Sequence, residues 1–246
     1  MAEAPGKHGL VIAIDGPAGA GKSTLASRLA RKLGYLNIET GAMYRALALK
    51  AIENDVDVDD GRALLDLALG SKISLEPQID GNRVKLDNTD VSSRIREKDV
   101  TEAASRVSIH PAVREWMVKK QRELGSVGGV VMEGRDIGTA VFPNADVKIF
   151  LDAAPEVRGN RRFHQNHATE PSAAVLAEMR ARDERDRTRP ISPLVAASDA
   201  VVIDSTEMTF EQVIDRAEQI VKEKSGGRAG KESGDRVSES GHRVIG

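Results

Sequence analysis

The stretch Leu10-Val-Ile-Ala-Ile-Asp-Gly-Pro-Ala-Gly-Ala-Gly-Lys-Ser-Thr24 joins a short apolar run to a helical pattern through a glycine-rich loop. Within it, Gly16 to Ser23 has the spacing of a phosphate loop, in which a lysine and a hydroxyl residue follow the last glycine. Glycines let the backbone curl so that its N–H groups face an anion, and the helix N-terminus adds a partial positive charge. The stretch therefore predicts a nucleotide phosphate site between a buried strand and a helix.

The side chains of this loop predict contacts with ATP. Lys22 can reach the β and γ phosphates, and the Ser23 hydroxyl suits Mg²⁺, which prefers oxygen ligands. A glycine-rich turn that only joins a strand to a helix is the alternative, but lysine and serine occupy the required positions. The strings NKxD and DxxG, typical of guanine-specific switches, do not occur. The expected ATP-binding residues of the loop are Gly16, Pro17, Ala18, Gly19, Ala20, Gly21, Lys22, Ser23 and Thr24.

Short apolar runs alternate with helical patterns on either side of this loop. The alternation predicts an α/β fold with a five-stranded parallel sheet wrapped by helices. The strands are expected at Leu10–Ile14, Leu36–Ile38, Val130–Met132, Val147–Leu151 and Ala200–Ile203. The helices are expected at about 22–33, 42–53, 111–123, 172–187 and 210–223. Thr209 and Gln212 have the spacing of a capping box at the start of the last helix.

Residues 60–104 break this rhythm. Lys72–Glu76 and Arg83–Asp87 alternate apolar and polar residues around Gln78–Asn82, a pattern typical of an antiparallel hairpin. We expect a small insert here. The final residues, 225–246, mix glycine, serine and charges with few apolar side chains, so we expect a disordered tail.

The composition excludes several classes of protein. The 246-residue chain has no cysteine and five histidines, which excludes a disulfide scaffold and fits a cytoplasmic protein. A net charge of −2 does not favour a nucleic-acid or membrane-surface partner. The early apolar run ends at Asp15, too soon for a membrane span or a signal peptide. We therefore expect a small-molecule partner.

Two segments carry residues for a second anionic substrate. Thr40 opens a predicted helix and Arg45 follows just over one turn later, so Arg45 can face an anion near that helix start. Glu133-Gly-Arg-Asp136 follows the third core strand, at the sheet edge where open α/β sheets bind ligands. A solvated surface is the alternative for Arg45, whereas Arg135 beside a strand end favours a functional site.

Two later groups of arginines allow two interpretations. Arg158, Arg161 and Arg162 share one side of a predicted helix, and Arg182, Asp186 and Arg189 lie within one another's reach at helical spacing. They can form solvated, salt-bridged helix faces. They can also belong to a mobile flap that brings arginines over phosphates.

The order of these segments resembles the bacterial cytidylate kinases over residues 9–222. The strings that carry the resemblance are the phosphate loop, Thr40-Gly-Ala-Met-Tyr-Arg45, Ala104-Ser-Arg-Val107, Val113-Arg114, Glu133-Gly-Arg-Asp-Ile-Gly-Thr139, Val147-Lys-Ile-Phe-Leu-Asp152, Arg182-Asp-Glu-Arg-Asp-Arg187, Pro193-Leu194 and Ile203-Asp-Ser205. The resemblance implies a P-loop nucleoside-monophosphate-kinase fold that converts ATP and CMP or dCMP into ADP and CDP or dCDP, with Mg²⁺. It implies a core of residues 9–59 and 105–224, an NMP-binding insert at 60–104 and a short lid at about 155–190.

The resemblance also assigns roles to individual residues. Lys22, Arg135, Arg189 and Asp136 are the expected catalytic set, and the lid adds Arg158 and Arg162 as ATP contacts. The expected CMP-binding residues are Thr40, Arg45, Ser105, Arg114, Glu133, Arg135, Asp136, Arg182, Asp186 and Arg189. Arg45, Arg135 and Arg189 would clamp the phosphate, Ser105, Arg114 and Asp136 would read cytosine, and Arg182 and Asp186 would contact the sugar. Thr40 stands where we associate serine, Glu133 where we associate aspartate, and Ser23 where the loop can end in glycine.

We expect a cytoplasmic monomer with ATP and CMP or dCMP as its partners. A kinase for another small acceptor, such as shikimate or gluconate, is one alternative on the same core. A regulatory module that binds ATP without transferring a phosphoryl group is the other. A coupled ADP-release assay across several acceptors distinguishes the three.

Overall fold

The computed structural model describes residues 9–78, 81–165 and 173–234. Its strands and helices alternate along the chain, with a 3₁₀ turn at Arg94–Arg96 and a π-helical turn at Ile137–Val141. In chain order the elements are β1 (Val11–Asp15), α1 (Lys22–Leu33), β2 (Leu36–Glu39), α2 (Thr40–Glu53), α3 (Gly61–Leu69), β3 (Ile73–Gln78), β4 (Gly81–Leu86), β5 (Thr89–Asp90), α4 (Lys98–Val107), α5 (Pro111–Gly125), β6 (Val130–Gly134), β7 (Val147–Asp152), α6 (Pro155–Gln165), α7 (Ala173–Thr188), β8 (Val201–Asp204) and α8 (Phe210–Gly234).

The main sheet has five parallel strands in the order β2-β6-β1-β7-β8, as the sequence predicts. β1 lies in the middle, with Val11 opposite Val130 of β6 and Ile12 opposite Val147 of β7. Because all strands run the same way, the residues after β1, β2 and β6 meet at one edge of the sheet. That edge gathers Gly16, Thr40 and Arg135.

The centre of the sheet is covered on both faces, which explains the unbroken apolar runs of β1 and β6. Ile12 and Ile14 of β1 pack with Leu25 of α1 and with α8. Ala13, between them, points to the opposite face and packs with Met132 and the π-helical turn. All three β1 residues have no exposed surface, so a polar substitution in β1 would disrupt the centre of the fold.

The predicted hairpin forms, with Ile73 opposite Leu86 and Gln78 opposite Gly81, and β5 adds a third antiparallel strand. The sequence did not predict α3 or α4 between residues 60 and 107. They share an apolar core with α2 and α5, in which Leu47, Leu64 and Val100 are fully buried. Asp60 caps α3 by accepting hydrogen bonds from two backbone amides.

Several predicted helix ends differ from the structure. α2 begins at Thr40, two residues before the expected start, and α8 runs to Gly234, eleven residues beyond the expected end. The rest of the predicted tail, residues 235–246, lies outside the described residues. The capping box is confirmed, since Thr209 N donates to Gln212 Oε1 at 2.8 Å and Gln212 N to Thr209 Oγ1 at 3.3 Å. None of the helices in the described ranges is long and apolar enough to cross a membrane.

Candidate active site

The phosphate loop between β1 and α1 adopts backbone angles that favour glycine. Gly16, Gly19 and Gly21 have φ values of 146°, 75° and 99°, which residues with a Cβ rarely adopt. A Cβ at Gly16 would also lie 2.0 Å from the carbonyl oxygen of Leu151 in β7. The motif glycines are therefore required both by the backbone angle and by the close approach of β7.

Lys22, the first residue of α1, lies beside the carboxylate of Glu133 at the end of β6. Its ammonium donates to the Pro17 carbonyl at 2.7 Å. Burial lowers the pKa of Lys22 to about 7, the charge of Arg135 acts in the same direction, and Glu133 opposes both. Burial raises the pKa of Glu133 to about 7, and the negative charge of Glu39 adds to this effect. Both groups can therefore change charge when an anion arrives.

Asp136 lies between two arginines after the end of β6. Arg114 Nη2 donates to Asp136 Oδ2 at 2.5 Å, and Arg189 Nη2 lies 3.7 Å from Oδ1. Arg114 also donates to the Ser108 carbonyl at 3.0 Å, and its guanidinium lies 5.7 Å from the centre of the Tyr44 ring. With 2% of its surface exposed, Arg114 is fixed in place. These contacts fix the orientation of the Asp136 carboxylate at the edge of the cavity.

Arg135 and Asp186 form a second arginine–carboxylate pair. Arg135 Nε donates to Asp186 Oδ2 at 2.8 Å, and Arg189 Nη1 lies 3.5 Å from Asp186 Oδ1. Burial alone would raise the pKa of Asp186, but the charges of Arg135 and Arg182 outweigh it and lower that pKa. The structure thus brings together the arginines that the sequence placed 54 residues apart, at positions 135 and 189.

Thr40 and Arg45 lie at the start of α2, beside the same strand ends. The Thr40 hydroxyl donates to the Glu133 carbonyl at 2.7 Å. Arg45 forms an ion pair with Glu39 in which the arginine side chain is 16% exposed. Burial would raise the pKa of Glu39, but Arg45 outweighs it and lowers that pKa. The alternative of a solvated Arg45 is therefore wrong.

Two arginines of α6 contact backbone carbonyls of the phosphate loop. Arg158 Nη1 donates to the Ala18 carbonyl at 2.9 Å and is 2.6 Å from Asp183 Oδ2. Arg161 donates to the Ser205 carbonyl at 2.7 Å and reaches the Ala20 carbonyl at 3.4 Å. The side chain of Arg162 and the segment 166–172 lie outside the described residues. For Arg158 and Arg161, a fully solvated helix face is therefore wrong.

Ser105 is buried on α4, where its hydroxyl accepts hydrogen bonds from Arg185 of α7 at 3.2 and 3.3 Å. A second contact between these helices joins Lys98 to Glu178 at 3.1 Å. The role of Ser105 as a base contact stays a prediction, and its observed contact links α4 to α7.

Most of these groups line one cavity of about 1180 Å³. Apolar side chains that the sequence did not single out, Met208, Phe210 and Val213, line it as well. Four predicted site residues with described side chains are not among its lining residues: Gly16, Pro17, Ser105 and Arg158. The predicted residues that line it are Ala18, Gly19, Ala20, Gly21, Lys22, Ser23, Thr24, Thr40, Arg45, Arg114, Glu133, Arg135, Asp136, Arg182, Asp186 and Arg189.

Sequence reasoning missed four residues that support this site. Asp15 accepts two backbone amides of the π-helical turn, and Glu39 pairs with Arg45. Tyr44 lies under Arg114, and Asp183 pairs with Arg158. Tyr44 and Asp183 lie within strings already quoted, so their positions were visible, but their partners are far away in the chain.

A phosphate loop that shares one cavity with a cluster of arginine–carboxylate pairs defines a P-loop phosphotransferase. The family model for cytidylate kinase matches residues 12–223. The cytidylate kinase of Enterococcus faecalis is 49% identical over 216 residues, covering 87% of this chain and 96% of that protein. That of Geobacillus kaustophilus is 49% identical over 223 residues, covering 89% of this chain and all of that protein. The chain belongs to the cytidylate kinase family.

Among solved structures, a shikimate kinase from Bacteroides thetaiotaomicron aligns with a TM-score of 0.43 and 14% identity, over 87% of this chain and 97% of that one. This level of similarity does not indicate which acceptor the present chain uses.

Proposed function

We propose that the chain transfers the γ-phosphoryl group of ATP to CMP or dCMP, giving ADP and CDP or dCDP. One observation supports this proposal most strongly: Lys22 of the phosphate loop and the Arg114–Asp136 pair line the same cavity. Membership of the cytidylate kinase family supports the choice of acceptor.

ATP binds with its phosphates in the loop between β1 and α1. The loop amides and the N-terminus of α1 attract the phosphates, and Lys22 exchanges its hydrogen bond with the Pro17 carbonyl for the β and γ oxygens. Met208, Phe210 and Val213 supply an apolar surface in the same cavity for the purine.

CMP binds on the side of the cavity formed by α2, α5 and α7. Arg45, Arg135 and Arg189 bind its phosphate, with Glu39 and Asp186 holding two of these arginines in place. A carboxylate only accepts hydrogen bonds, so Asp136 suits the N4 amino group of cytosine, whereas uracil presents an acceptor there. Arg182 and Asp186 contact the sugar.

The transfer itself needs alignment and charge neutralisation rather than a strong base. Phosphoryl transfer passes through a loose transition state whose charge is spread over oxygens. Lys22 and the arginines offset the repulsion between the two anionic substrates. Contacts join α4 to α7 across the cavity, and closure of these helices over both substrates would exclude water, which would otherwise accept the phosphoryl group.

Mg²⁺ accompanies ATP, and the residues present fit this ion. Ser23 lines the cavity, and the Glu133 oxygen Oε1 is buried with no hydrogen-bond partner within the described ranges. Both offer the hard oxygen ligands that Mg²⁺ prefers. When bound with the nucleotide, the ion would neutralise phosphate charge, while Ser23 and Glu133 fix its position.

We also propose that the protein acts as a cytoplasmic monomer. The site residues come from a single chain, and the lack of cysteine fits a reducing compartment.

The test compares kcat/KM for CMP and UMP in the wild type and in Asp136→Ala. The wild type should prefer CMP by about 10²–10⁴, because UMP leaves buried polar groups unpaired. The variant should lose most of this preference by becoming worse with CMP. If Asp136→Ala leaves the CMP-to-UMP ratio of kcat/KM unchanged, Asp136 does not read the base. ADP release with AMP, shikimate or gluconate but not with CMP would support a kinase for another acceptor. ATP binding without CMP-dependent ADP release would support a regulatory module.

A further inference from the structure

Asp15 is a buried carboxylate that the reaction itself does not use. It ends β1, directly before the phosphate loop, and only 5% of its surface is exposed. Oδ1 accepts a hydrogen bond from the Ile137 amide at 2.8 Å, and Oδ2 accepts one from the Gly138 amide at 2.7 Å. Both oxygens therefore bind the turn that immediately follows Asp136.

Asp15 supplies a cap for the turn that the residue before a helix usually supplies itself. Asp136 occupies the N-cap position of the π-helical turn Ile137–Val141. An aspartate at an N-cap usually folds its carboxylate back onto the first free amides of its own helix. Such a bond would go to the amide of Gly138 or Thr139, and Asp136 makes neither. Asp15, on another strand, pairs the Gly138 amide together with that of Ile137. The Asp136 carboxylate is thus left to pair with Arg114 and Arg189.

The turn is fixed from several directions. Arg122 of α5 donates to the carbonyls of Ala140 and Val141 at 2.6 and 2.9 Å, so a distant side chain also holds the other end. A Cβ added at Gly138 would lie 3.4 Å from Asp15 Oδ2 and 3.1 Å from Lys148 Cδ. The space beside Gly138 is therefore filled by Lys148 and the Asp15 carboxylate.

We propose that Asp15 is a positioning residue for base selectivity: by capping the turn after Asp136 in its place, it keeps the Asp136 carboxylate directed at the base. This inference rests on the proposed function, in which Asp136 reads cytosine. Without Asp15, the orphan amides of the turn would compete with the base for the Asp136 carboxylate.

The experiment measures the CMP-to-UMP ratio of kcat/KM in Asp15→Asn. Asparagine keeps the size but offers one acceptor oxygen, so one of the two amides faces an NH₂ group. We expect the ratio to fall about tenfold or more, with a higher KM for CMP. Because both substrates are measured on one preparation, the ratio does not depend on the fraction of folded protein. Assays at about pH 8 keep the carboxyl ionised, since burial raises its pKa to about 6.

Asp146→Asn is the matched control. Its carboxylate also accepts a backbone amide, that of Val11 at 2.8 Å, at the opposite end of β1. We expect its ratio to equal that of the wild type. Gly138→Ala is a second variant for the case that Asp15→Asn yields no soluble protein. Its Cβ would press on the Lys148 side chain at 3.1 Å and touch Asp15 Oδ2 at 3.4 Å, so it should shift the capped amide and lower the ratio.

Asp136→Ala separates the two claims. If Asp136→Ala lowers the ratio but Asp15→Asn and Gly138→Ala do not, Asp15 has no positioning role and the proposed function stands. If Asp136→Ala leaves the ratio unchanged, the base reader is wrong and the inference fails with it. The double variant Asp15→Asn, Asp136→Ala should match Asp136→Ala alone, because both changes act through one carboxylate.

Discussion

Arg158 and Asp183 form a buried ion pair that joins α6 to α7 behind the phosphate loop. Arg158 Nη1 lies 2.6 Å from Asp183 Oδ2, linking α6 to α7. The same guanidinium donates to the carbonyls of Ala18 at 2.9 Å and Ala153 at 2.8 Å. Arg158 thus binds one carbonyl of the loop, that of Ala18, which orients this peptide group so that neighbouring amides face the phosphates.

The first prediction tests this support with Asp183→Asn. Weakening a buried, charge-assisted bond should lower the free energy of unfolding by about 1.5–3 kcal/mol, and the looser loop should raise KM for ATP severalfold. If Arg158 instead binds ATP directly, breaking the pair would free it, and KM for ATP would stay the same or fall. Glu156→Gln is the control, since its ion pair with Arg180 joins the same two helices at the exposed surface. It should leave Tm and KM unchanged.

Residue spacing along α6 could not predict which groups its arginines contact. Positions 158 and 161 share a helix face by periodicity, but the partners of that face, Ala18, Ala20 and Ser205, lie far away in the chain. The central strands β1 and β6 were predictable because each is buried on both faces, which requires an unbroken apolar run. Helix α3 was missed because it spans nine residues, and its stability comes from packing on α5 rather than from a long periodic pattern.

The site residues also differ in whether the sequence could predict them, depending on whether their contacts are local or distant. The phosphate loop is local, so eight consecutive residues from Gly16 to Ser23 predict it. Asp15 precedes that loop and looks like the polar end of a strand, yet its function depends on amides at 137 and 138. Such tertiary contacts leave no periodic signal in a single sequence.

The second prediction concerns Arg135→Lys. An ammonium keeps the charge next to Asp186 but loses the planar fork that binds two phosphate oxygens. We expect kcat/KM for CMP to fall by about 10- to 150-fold, equivalent to about 1.5–3 kcal/mol, with little change in ATP affinity. Steady-state kinetics with each substrate varied in turn measure both effects. The matched control is Arg180→Lys on the exposed lid surface, and equal kinetics in the two variants would contradict a phosphate clamp at Arg135.

The third prediction concerns Lys22→Ala. Because the ammonium stabilises charge that grows on the phosphates during transfer, kcat should fall by about two orders of magnitude or more while the fold stays intact. Circular dichroism and Tm establish the fold, and coupled ADP release measures kcat. Lys32→Ala removes an exposed lysine from the same helix, where it pairs with Glu218, and should keep full activity. A soluble Lys22→Ala protein with normal kcat would contradict the role of the phosphate loop.

The fourth prediction is that ATP binding takes up a proton above pH 7. Burial and the charge of Arg135 lower the pKa of Lys22 to about 7 in the free protein, whereas bound phosphates favour its charged form and raise that pKa again. Above pH 7 the free protein has therefore lost a proton that the complex holds. By linkage, the Kd for ATP should rise by up to about tenfold per pH unit between about pH 7.5 and 9.

Calorimetric titration with ATP, repeated in buffers of different ionisation enthalpy, gives the number of protons taken up. The wild type should take up close to one proton at about pH 8, because a group with a pKa near 7 is then mostly neutral in the free protein. Glu133 titrates in the same range, since burial raises its pKa to about 7. Comparing Lys22→Met with Glu133→Gln therefore assigns the proton: uptake should vanish in the first variant and persist in the second. Equal uptake in the wild type and in Lys22→Met would show that Lys22 is already charged before ATP binds.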